Sequence, residues 1–477
     1  MGEHLDAVVV GSGPNGLVAA IELAQAGWKV QVIEAAPTPG GGTRSAELTL
    51  PGFVHDVCSA VHPLAIASPA MRDLGLEHEG LEWVHPDVPL GHAVAPGRSA
   101  LQHRSLTTTI DGLGVDGPTW RRTFGPSVRS GENLTDGLLA PLDLPPSHPF
   151  AMARFGPVGL QPAAWLARRF DGDLGPALLA GLAAHSILDL DRVLTGGVAV
   201  MLGSLAHTVG WPVARGGSQR IADAMVARLE QLGGEVVCDE PVRSIDSLPS
   251  ARAVLCDVAP TGLAKLAGSR LPARYRRKLT RFRHGPGVFK LDWALDGPVP
   301  WADAELMRAG TVHLGGTFAE VRRSEHDVVN GRHPDAPFVL LAEQSRFDRT
   351  RAPGEAETLW GYCHVPHGSD VDMTERIESR IERFAPGFRD RIVARHAAGP
   401  AAFAAENANY IGGDIAGGVT DLRQFVARPT LSRRPWATPV AGLYLCSSST
   451  PPGAGVHGMC GRSAARCALE DAARGLI

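Results

Sequence analysis

A glycine-punctuated turn between two apolar runs constrains the fold of this chain more than any other feature. Residues 6–35 read DAVVVGSGPNGLVAAIELAQAGWKVQVIEA. The first apolar run is typical of a strand buried on both faces of a parallel sheet, and the residues after the turn predict a helix over about 15–26. A second strand over 29–33 then delivers Glu34. Strand, turn, helix and strand in this order predict a nucleotide-binding βαβ unit.

The three glycines of the turn have separate physical roles in such a unit. Gly11 permits the tight turn, Gly13 lets the backbone approach a pyrophosphate, and Gly16 lets the helix pack closely on the strand. Pro14 and Asn15 begin the helix, whose N-terminal N–H groups and dipole attract phosphate. We therefore predict that these five residues form the phosphate end of a dinucleotide site.

The acidic residue at the end of the second strand narrows the choice of nucleotide. The carboxylate of Glu34 is placed to accept hydrogen bonds from ribose hydroxyls, with Ala35 beside it at the same sheet edge. A carboxylate would repel a 2′-phosphate, so the sequence disfavours NADP. FAD and NAD both remain open at this point.

The segment PTPGGGTRSAEL that follows favours FAD over NAD. A flexible glycine backbone beside a cation suits the pyrophosphate and ribityl chain of a flavin dinucleotide. We predict that Gly41, Gly42, Thr43 and Arg44 contact this cofactor. A solvent-exposed loop is the alternative interpretation of this segment.

Composition argues against several function classes. The chain has 477 residues and a formal charge of −4, without a lysine-rich run, so we expect no nucleic-acid partner. Its seven cysteines include no CxxC pair, so neither a disulfide framework nor a metal site is expected. The opening MGEHLDAVVV lacks the pattern of a secretory signal, which favours the cytoplasm.

The most apolar region, residues 174–211, is interrupted by Asp189, Asp191 and Arg192. No uninterrupted run reaches the roughly 20 residues that a membrane-spanning helix needs, so buried helices are expected here. A peripheral membrane contact stays open, because an apolar substrate would have to be collected from a bilayer.

Several longer stretches carry a resemblance to a known family. The C-terminal segment GLYLCSSSTPPGAGVHGMCGRSAARCALED and the middle segment ARGGSQRIADAMVARLEQLGGEVVCDEPVRSI resemble FAD-binding segments of bacterial phytoene desaturases, carotenoid isomerases and their relatives. The stretches HSILDL, GWPVARGGSQ, ENANYIGGDIAGG and RPTLSRRPWATPVAGLYLC resemble the branch that includes the pyridine nucleotide-disulphide oxidoreductase domain-containing proteins. The resemblance covers most of the chain.

This resemblance implies a glutathione-reductase-type FAD fold and further cofactor contacts. Val242, in a strand after a helix, would hold the adenine through its backbone, and Ser447 and Ser448 would lie near the ribityl chain. A helix that starts near Gly455 and Val456 would direct its N-terminal dipole at the flavin. One departure is clear: the chain has Ser-Ser-Ser-Thr-Pro-Pro where the desaturases typically have Gly-Ala-Gly-Thr-His-Pro, so the loop histidine is missing.

The fold class expected is α/β, with a Rossmann FAD-binding domain and an inserted substrate domain of mixed β-sheet and apolar helices. The Pro-, Gly- and Ser-rich residues 86–150 favour loops and small strands, whereas residues 158–208 favour apolar helices. The domains are predicted to comprise residues 1–70, 211–290 and 430–477 for FAD, and residues 71–210 and 291–429 for substrate.

The function expected is that of an FAD-dependent oxidoreductase that abstracts hydride from a C–C or C–N bond of a largely apolar small molecule. No second nucleotide motif is visible, so the electron acceptor would be oxygen, a quinone or a protein. His62 and His457 are the candidates for acid–base work. The alternative for His457 is a packed histidine that bonds a neighbouring loop, and the alternative for His62 is a structural hairpin. A redox-neutral polyene isomerase and a non-catalytic flavin-bearing interaction protein are the other hypotheses.

Overall fold

The computed structural model describes residues 4–141 and 146–477. Within these residues the strands are β1 Leu5–Val10, β2 Val30–Ile33, β3 Ser45–Ala46, β4 His55–Asp56, β5 Trp83–Val84, β6 Val88–Ala95, β7 Arg98–Gln102, β8 Val213–Ala214, β9 Glu235–Val237, β10 Ala251–Cys256, β11 Gly287–Leu295, β12 Ala309–Leu314, β13 Val339–Ala342, β14 Glu357–Val365, β15 Ile392–Ala398 and β16 Leu443–Leu445.

The α-helices of the same residues lie between and after these strands. They are α1 Pro14–Gln25, α2 Pro63–Ala67, α3 Pro69–Leu74, α4 Leu106–Gly112, α5 Gly117–Ser130, α6 Glu132–Leu139, α7 Pro149–Gly159, α8 Ala163–Ala167, α9 Leu174–Ala184, α10 Thr195–Thr208, α11 Gln219–Gln231, α12 Pro260–Leu266, α13 Ala273–Thr280, α14 Phe318–Val329, α15 Thr374–Phe384, α16 Pro400–Glu406, α17 Leu422–Val426 and α18 Met459–Ala473.

The first sheet is a parallel Rossmann sheet assembled from distant parts of the chain. Its strand order is β16-β10-β1-β2-β9, and each neighbouring pair is parallel. Helix α1 packs against both α11 and α18. The glycine turn explains how close α1 lies to β1: a Cβ on Gly16 would lie 2.1 Å from the carbonyl oxygen of Gly11, so only glycine fits.

The second sheet is mixed and has seven strands in the order β15-β11-β14-β13-β12-β6-β7. Strands β6 and β12 run parallel, whereas the other neighbouring pairs are antiparallel. Helix α9 covers one face, where it contacts β6 and β7, and buried apolar side chains of α15 pack on the opposite face. A seven-stranded sheet between two helical layers can bury apolar side chains on both faces.

This architecture confirms the predicted fold class: a Rossmann domain is joined to a mixed sheet with apolar helices. The five Rossmann strands all lie within the segments predicted for the FAD domain. Strand β11 begins at Gly287 and belongs to the second sheet, so the predicted domain boundary at residue 290 falls inside a strand.

The prediction of loops and small strands over residues 86–150 is wrong for much of that segment. Strands β6 and β7 are present, but α4, α5 and α6 occupy most of residues 106–139. Helix α5 tolerates an internal Pro126 because its apolar side chains are fixed by packing, with Trp120 stacked on Phe124 at 3.9 Å between ring centroids. Tertiary burial here overrides the low helix propensity of proline.

Candidate functional site

A connected cavity of about 1710 Å³ begins at the carboxyl ends of β1 and β2. It continues to the space between the second sheet and helix α10, where Trp360 and Met201 line opposite sides. Ligands of open α/β sheets bind at the carboxyl ends of the strands. The cavity is also larger than the roughly 300–1,000 Å³ of an ordinary small-molecule pocket, so it has room for a dinucleotide and a second molecule.

Glu34 lines the first end of this cavity and is held in one orientation by the backbone around it. Its Oε2 accepts hydrogen bonds from the N–H and hydroxyl of Ser12, at 2.8 and 2.6 Å, and its Oε1 accepts one from the N–H of Ala36 at 2.9 Å. A carboxylate fixed in this way offers its remaining lone pairs to ribose hydroxyls without losing side-chain entropy.

The N-terminus of α1 has the features that a pyrophosphate needs. Gly11 has φ +96°, a left-handed conformation that glycine adopts without strain, and it directs the chain into the turn. Gly13 precedes the helix and supplies no side-chain cap, and Gly13, Pro14 and Asn15 all line the cavity. The Oδ1 atom of Asn15 is buried and has no hydrogen-bond partner among the described residues, so it can accept a hydrogen bond from a hydroxyl of a ligand. A phosphate-bearing ligand fits such a site.

Asp257 is a buried carboxylate at this same helix terminus, and the sequence did not single it out. It follows β10, and its Oδ2 accepts a hydrogen bond from the N–H of Gly16 at 3.0 Å. A Cβ on Gly13 would lie 2.6 Å from that oxygen, so the acid and the turn are in close contact. Burial, assisted by the nearby charge of Glu34, raises the pKa of Asp257 to about 7.

The glycine loop packs directly on the phosphate turn. A Cβ on Gly41 would lie 3.1 Å from the Cα of Gly13, and a Cβ on Gly42 would lie 2.4 Å from the phenol oxygen of Tyr410. Arg44 is buried and directs its guanidinium to the carbonyl oxygen of Gly41 at 3.1 Å. The same side chain pairs with the carboxylate of Glu406 at 3.1 Å, so its charge is held at the cavity wall.

The part of the C-terminal segment that lines the cavity is the loop before its helix, about one turn N-terminal to the helix start. Ser447, Ser448, Gly455 and Val456 all line the cavity, but α18 begins only at Met459. The prediction of a helix starting near Gly455 is therefore wrong by about one turn. Gly455 has φ +121°, a conformation that excludes helix there, so the loop before α18 forms this part of the wall.

Val242 lines the cavity near Glu34, although it does not lie in a strand. The strand of this segment, β9, ends at Val237, and Val242 follows it in an irregular stretch. The chain leaves the sheet at Asp239, whose φ of +58° turns the backbone towards the cavity. A contact between Val242 and adenine remains a prediction.

His457 has a structural role, which corrects its assignment as an acid–base candidate. Its Nδ1 accepts a hydrogen bond from the N–H of Met459, and its Nε2 lies 3.1 Å from the carbonyl oxygen of Gly453 and therefore donates to it. Burial lowers the pKa of His457 to about 4. The ring is fully buried and does not line the cavity, so it fixes the turn before α18.

His62 does line the cavity and is joined to a buried polar network. Its Nε2 lies 2.8 Å from the hydroxyl of Ser218, whose N–H donates to Asp56 at 2.7 Å. Asp56 in turn forms an ion pair with Arg351 at 3.1 Å, with both side chains fully buried. Burial lowers the pKa of His62 to about 4, so its imidazole is neutral at pH 7. Any catalytic role of His62 remains a prediction.

Most predicted cofactor residues meet in this one cavity. Those that line it are Gly11, Gly13, Pro14, Asn15, Glu34, Ala35, Gly41, Gly42, Arg44, Val242, Ser447, Ser448, Gly455 and Val456. Gly16 and Thr43 do not line it. Gly16 allows α1 to pack on β1, and the Thr43 hydroxyl donates to the carbonyl oxygen of Gly40 at 2.8 Å, which closes the glycine loop. The glycines of the turn and the loop, the carboxylate of Glu34 and the guanidinium of Arg44 together fit FAD.

Sequence reasoning missed several residues of the cavity wall. Tyr410 and Asn409 come from the segment ENANYIGGDIAGG, where the run of Asn and Gly is the available signal for a loop. The Asn409 side chain accepts from the N–H of Ala259 at 2.8 Å and donates to the carbonyl oxygen of Asp257 at 3.1 Å. This segment therefore closes over the end of β10. No local pattern could have revealed contacts made over such sequence distances.

Comparison with known proteins agrees with this geometry. Residues 9–74 match a family model described as an NAD(P)-binding Rossmann-like domain. Pyridine nucleotide-disulfide oxidoreductase domain-containing protein 2 of Mus musculus is 24% identical over 560 residues, which cover 98% of this chain and 93% of that protein. A phytoene desaturase (lycopene-forming) of Paracoccus sp. is 24% identical, with 98% of each chain covered. The chain is therefore similar to these two proteins over almost its whole length.

A solved structure extends the likeness of this oxidoreductase to the whole fold. A putrescine oxidase with a redesigned cofactor site superimposes with a TM-score of 0.63 at 17% identity, over 99% of both chains. The comparisons thus confirm four predictions: the resemblance to phytoene desaturases and their relatives, the fold class, oxidoreductase activity, and FAD as the cofactor. In residues 4–141 and 146–477, each helix is too short or too polar to cross a bilayer.

Proposed function

We propose that the protein abstracts hydride from a C–C or C–N bond of a largely apolar small molecule. One observation carries this proposal: the nucleotide groove continues, within a single cavity, into a chamber with apolar walls. We call this the apolar chamber and define it by the cavity-lining side chains Phe155, Leu194, Val198, Met201 and Leu202.

The apolar chamber is built by helices that pack closely. A Cβ on Gly197 of α10 would lie 2.5 Å from the carbonyl oxygen of Gly159 in α7, so these two helices touch through backbone. Met152 and Phe155 of α7 and Val198, Met201 and Leu202 of α10 line the cavity with apolar side chains. FAD, when bound, supplies the hydride-accepting chemistry. The protein's own contribution is to hold an apolar molecule in a dry space against that cofactor, and such positioning accounts for much of the rate in reactions of this kind.

The proposal is tested by anaerobic mixing of the FAD-loaded protein with phytoene in lipid vesicles, with putrescine as the small polar comparison. We expect the flavin absorbance to bleach with the hydrocarbon and to stay unchanged with putrescine. Bleaching by putrescine alone would contradict the proposal. Adding oxygen, a quinone or a redox protein to the reduced sample then identifies the electron acceptor among the three proposed.

A charge placed in the apolar chamber tests the same proposal through the chain. Met201→Asp puts a carboxylate among apolar neighbours and should slow flavin reduction by phytoene at least tenfold, with FAD still bound. Val115→Asp is the matched control, because Val115 is exposed and does not line the cavity. Equal rates for the two variants would mean that the substrate does not enter this chamber.

The same assay separates the two other hypotheses. A redox-neutral isomerase would need reduced FAD before it acted on a polyene and would show no net flavin reduction. A non-catalytic flavin-bearing protein would bind FAD and leave every tested molecule unchanged. The altered Ser-Ser-Ser-Thr-Pro-Pro loop is the feature of the chain that keeps this last hypothesis in play.

We further propose a peripheral membrane contact at the mouth of the cavity. Leu160 and Phe425 line the cavity and are also exposed by 62% and 46%, so the cavity opens at an apolar surface. Phe150 on α7 is 80% exposed. Two exposed cations lie beside these apolar side chains: Arg154 on α7, and Arg423 on α17, the helix that carries Phe425. Exposed apolar side chains beside arginines are typical of surfaces that bind anionic bilayers.

Sedimentation with vesicles tests this contact. We expect the protein to pellet with anionic vesicles, and a double variant Phe150→Ser, Phe425→Ser to remain in the supernatant. Val193→Ser is the control, since Val193 is 43% exposed and does not line the cavity. Loss of binding in the control alone would place the contact elsewhere.

A further inference from the structure

Three imidazoles, of which one is partly buried and two are buried, lie in a row that begins at the cavity and ends inside the second sheet. His313 of β12 and His92 of β6 are register partners in two parallel strands, so both side chains point to the face that α9 covers. His185 follows the last residue of α9 and lines the cavity. Its Nε2 lies 3.1 Å from the Nε2 of His313. We call His185, His313 and His92 the histidine row.

A glycine in α9 makes the row possible. Gly181 precedes His185 by one helical turn and therefore faces the same side of the helix. A Cβ at position 181 would lie 2.3 Å from the Nδ1 of His313 and 2.7 Å from the Nδ1 of His92. Both of these buried nitrogens lack a hydrogen-bond partner among the described residues. The missing side chain thus leaves both ring nitrogens beside the same small gap.

All three imidazoles are neutral at pH 7. Burial lowers the pKa of His185 to about 3 and that of His92 to about 4, and it lowers the pKa of His313 well below its usual value. The charged or titratable groups that act on the ends of the row are His364 near His185, and Arg380 and Glu320 near His92.

The far end of the row determines which nitrogen carries each proton. The Nε2 of His92 lies 2.8 Å from the carbonyl oxygen of Gly316, so it must donate, and the Nδ1 of this neutral ring is then a bare lone pair. A second lone pair on the Nδ1 of His313 would repel it, so the proton of His313 is on Nδ1. The Nε2 of His313 is then the acceptor for an N–H on the Nε2 of His185. This order leaves the Nδ1 of His185 as a bare lone pair for the cavity.

We propose that His185 is the base that takes the substrate proton, and that His313 and His92 are positioning residues that fix its tautomer. This proposal rests on the proposed function. Removal of hydride from one substrate atom leaves a cation, and the neighbouring C–H or N–H bond then breaks. Its electron pair forms the new double bond, and its proton goes to the Nδ1 of His185. The proton later leaves to water at the mouth of the cavity.

The surroundings of His185 agree with such a role. Its ring meets the indole of Trp211 edge to face, with 5.5 Å between centroids, and Trp211 also lines the cavity. The contact with Trp211 and the bond to His313 therefore hold the imidazole in one orientation. A neutral base with a low pKa suffices here, because a C–H bond next to a cationic carbon is strongly acidic, and such a base releases its proton readily.

The first experiment determines which ring nitrogen of each histidine carries the proton, and it needs no substrate. Nitrogen NMR of the FAD-loaded protein labelled with ¹⁵N-histidine distinguishes protonated from bare ring nitrogens, and single His→Gln variants assign the signals. We expect the proton on Nε2 of His185, on Nδ1 of His313 and on Nε2 of His92. A His185 that carries its proton on Nδ1, or a His313 that carries it on Nε2, would overturn the proposal.

The second experiment separates a base from a packing residue. In FAD-loaded His185→Ala, we expect flavin reduction by phytoene vesicles to slow by about 100-fold or more, as for loss of a general base. Added imidazole should restore the rate, whereas pyrazole, a far weaker base of the same shape, should not. Equal rescue by both molecules would show that the side chain only fills space and would sink the assignment.

Two further variants complete the test. His313→Phe keeps a ring of similar size and removes the tautomer lock, so we expect about a tenfold slower rate with KM unchanged. His326→Ala is the control, because His326 is on the exposed surface of α14 and pairs there with Asp189. If wild-type protein leaves phytoene unchanged, the proposed function fails, and the tautomers measured by NMR then decide on the histidine row alone.

Discussion

The two ends of the cavity are constructed by different means. At the nucleotide end, backbone groups form much of the wall: Gly11 turns the chain, Gly13 places no side chain at the start of α1, and Ser12 orients Glu34 through its N–H and hydroxyl. At the apolar end, side chains from α7, α10 and the second sheet form the wall, for example Trp360 of the sheet. Backbone geometry is dictated by local sequence, whereas side-chain walls depend on contacts between distant segments.

This difference teaches where the chain is free to vary. A glycine that must adopt a positive φ, or that lies against a carbonyl oxygen, has no substitute, so the nucleotide end is fixed residue by residue. An apolar wall tolerates exchange among hydrophobic side chains of similar volume. Outside the cavity wall, Arg351 forms buried ion pairs with Asp56 of β4 and with Asp348, and we call these pairs the seam.

Breaking the seam should have the largest effect. Arg351→Leu leaves two buried carboxylates without a cation, and we expect the free energy of unfolding to fall by about 3–5 kcal/mol in urea denaturation. Arg98→Leu removes an ion pair with Asp173 that is about half exposed, and it should cost less than about 1 kcal/mol. Equal losses in the two variants would show that the buried pairs of the seam contribute no more to stability than an exposed ion pair does.

Replacing the packing glycine of the nucleotide end should have the next largest effect. In Gly16→Val the new side chain meets the carbonyl oxygen of Gly11, which is backbone and cannot move aside. We expect a loss of about 3 kcal/mol in unfolding free energy and loss of bound FAD, measured by flavin fluorescence. Gly112→Ala is the control, because a Cβ there meets nothing within 4 Å. Retention of FAD by the valine variant would refute the role of this glycine.

Weakening the ribose acceptor tests a single side chain of the same end. Glu34→Gln removes a charge that would accept ribose hydroxyls, and we expect FAD affinity to fall by about 10- to 100-fold, as for loss of about 1.5–3 kcal/mol. Glu235→Gln on strand β9 is the control, since that carboxylate bonds the exposed side chain of Gln31. Titration calorimetry on apoprotein measures both. An unchanged Kd of FAD for the Glu34→Gln variant would show that Glu34 does not bind the ribose.

The smallest expected effect concerns pH. The folded-state pKa of Asp257 is raised to about 7, so the neutral acid is favoured by folding. Its contribution to stability is fully present below the usual carboxyl pKa near 4 and is lost as pH rises from about 4 to about 7. A phosphate at the same helix terminus also repels the ionised form. FAD affinity should therefore weaken above pH 7, by at most tenfold per pH unit.

Asp257→Asn removes this titration and keeps an acceptor for the N–H of Gly16. We expect its FAD affinity and its apoprotein stability to stay flat between pH 6 and pH 8. Asp246→Asn is the control, since that exposed carboxylate pairs with Arg270. A flat pH profile in the wild-type protein would show that Asp257 does not sense the phosphate.

The sequence predicts the nucleotide end well for a physical reason. The turn from Gly11 to Gly16 is a local structure whose glycines are required by backbone sterics, and Glu34 follows from the length of one strand. The helix predicted over 15–26 matches α1, which spans Pro14–Gln25. These features depend on residues close in sequence, so a local pattern suffices to find them.

The apolar end could not be predicted in the same way. Helix α5 contains Gly125 and Pro126, which read locally as a loop, and it exists because Trp120 and Phe124 are buried against other helices. His185 lies in an apolar segment without the spacing of a metal site, so the sequence alone assigns it no role. Its bond to His313 depends on the packing of α9 against the second sheet, which no spacing in the sequence displays.

A crystal structure of the FAD-loaded protein soaked with phytoene tests the central claim most directly. The account predicts phosphate oxygens at the N–H groups of the α1 terminus and an isoalloxazine beside Ser447 and Val456. It also predicts a hydrocarbon chain in the apolar chamber next to His185. An isoalloxazine that faces bulk solvent, or a hydrocarbon bound anywhere outside this chamber, would contradict it.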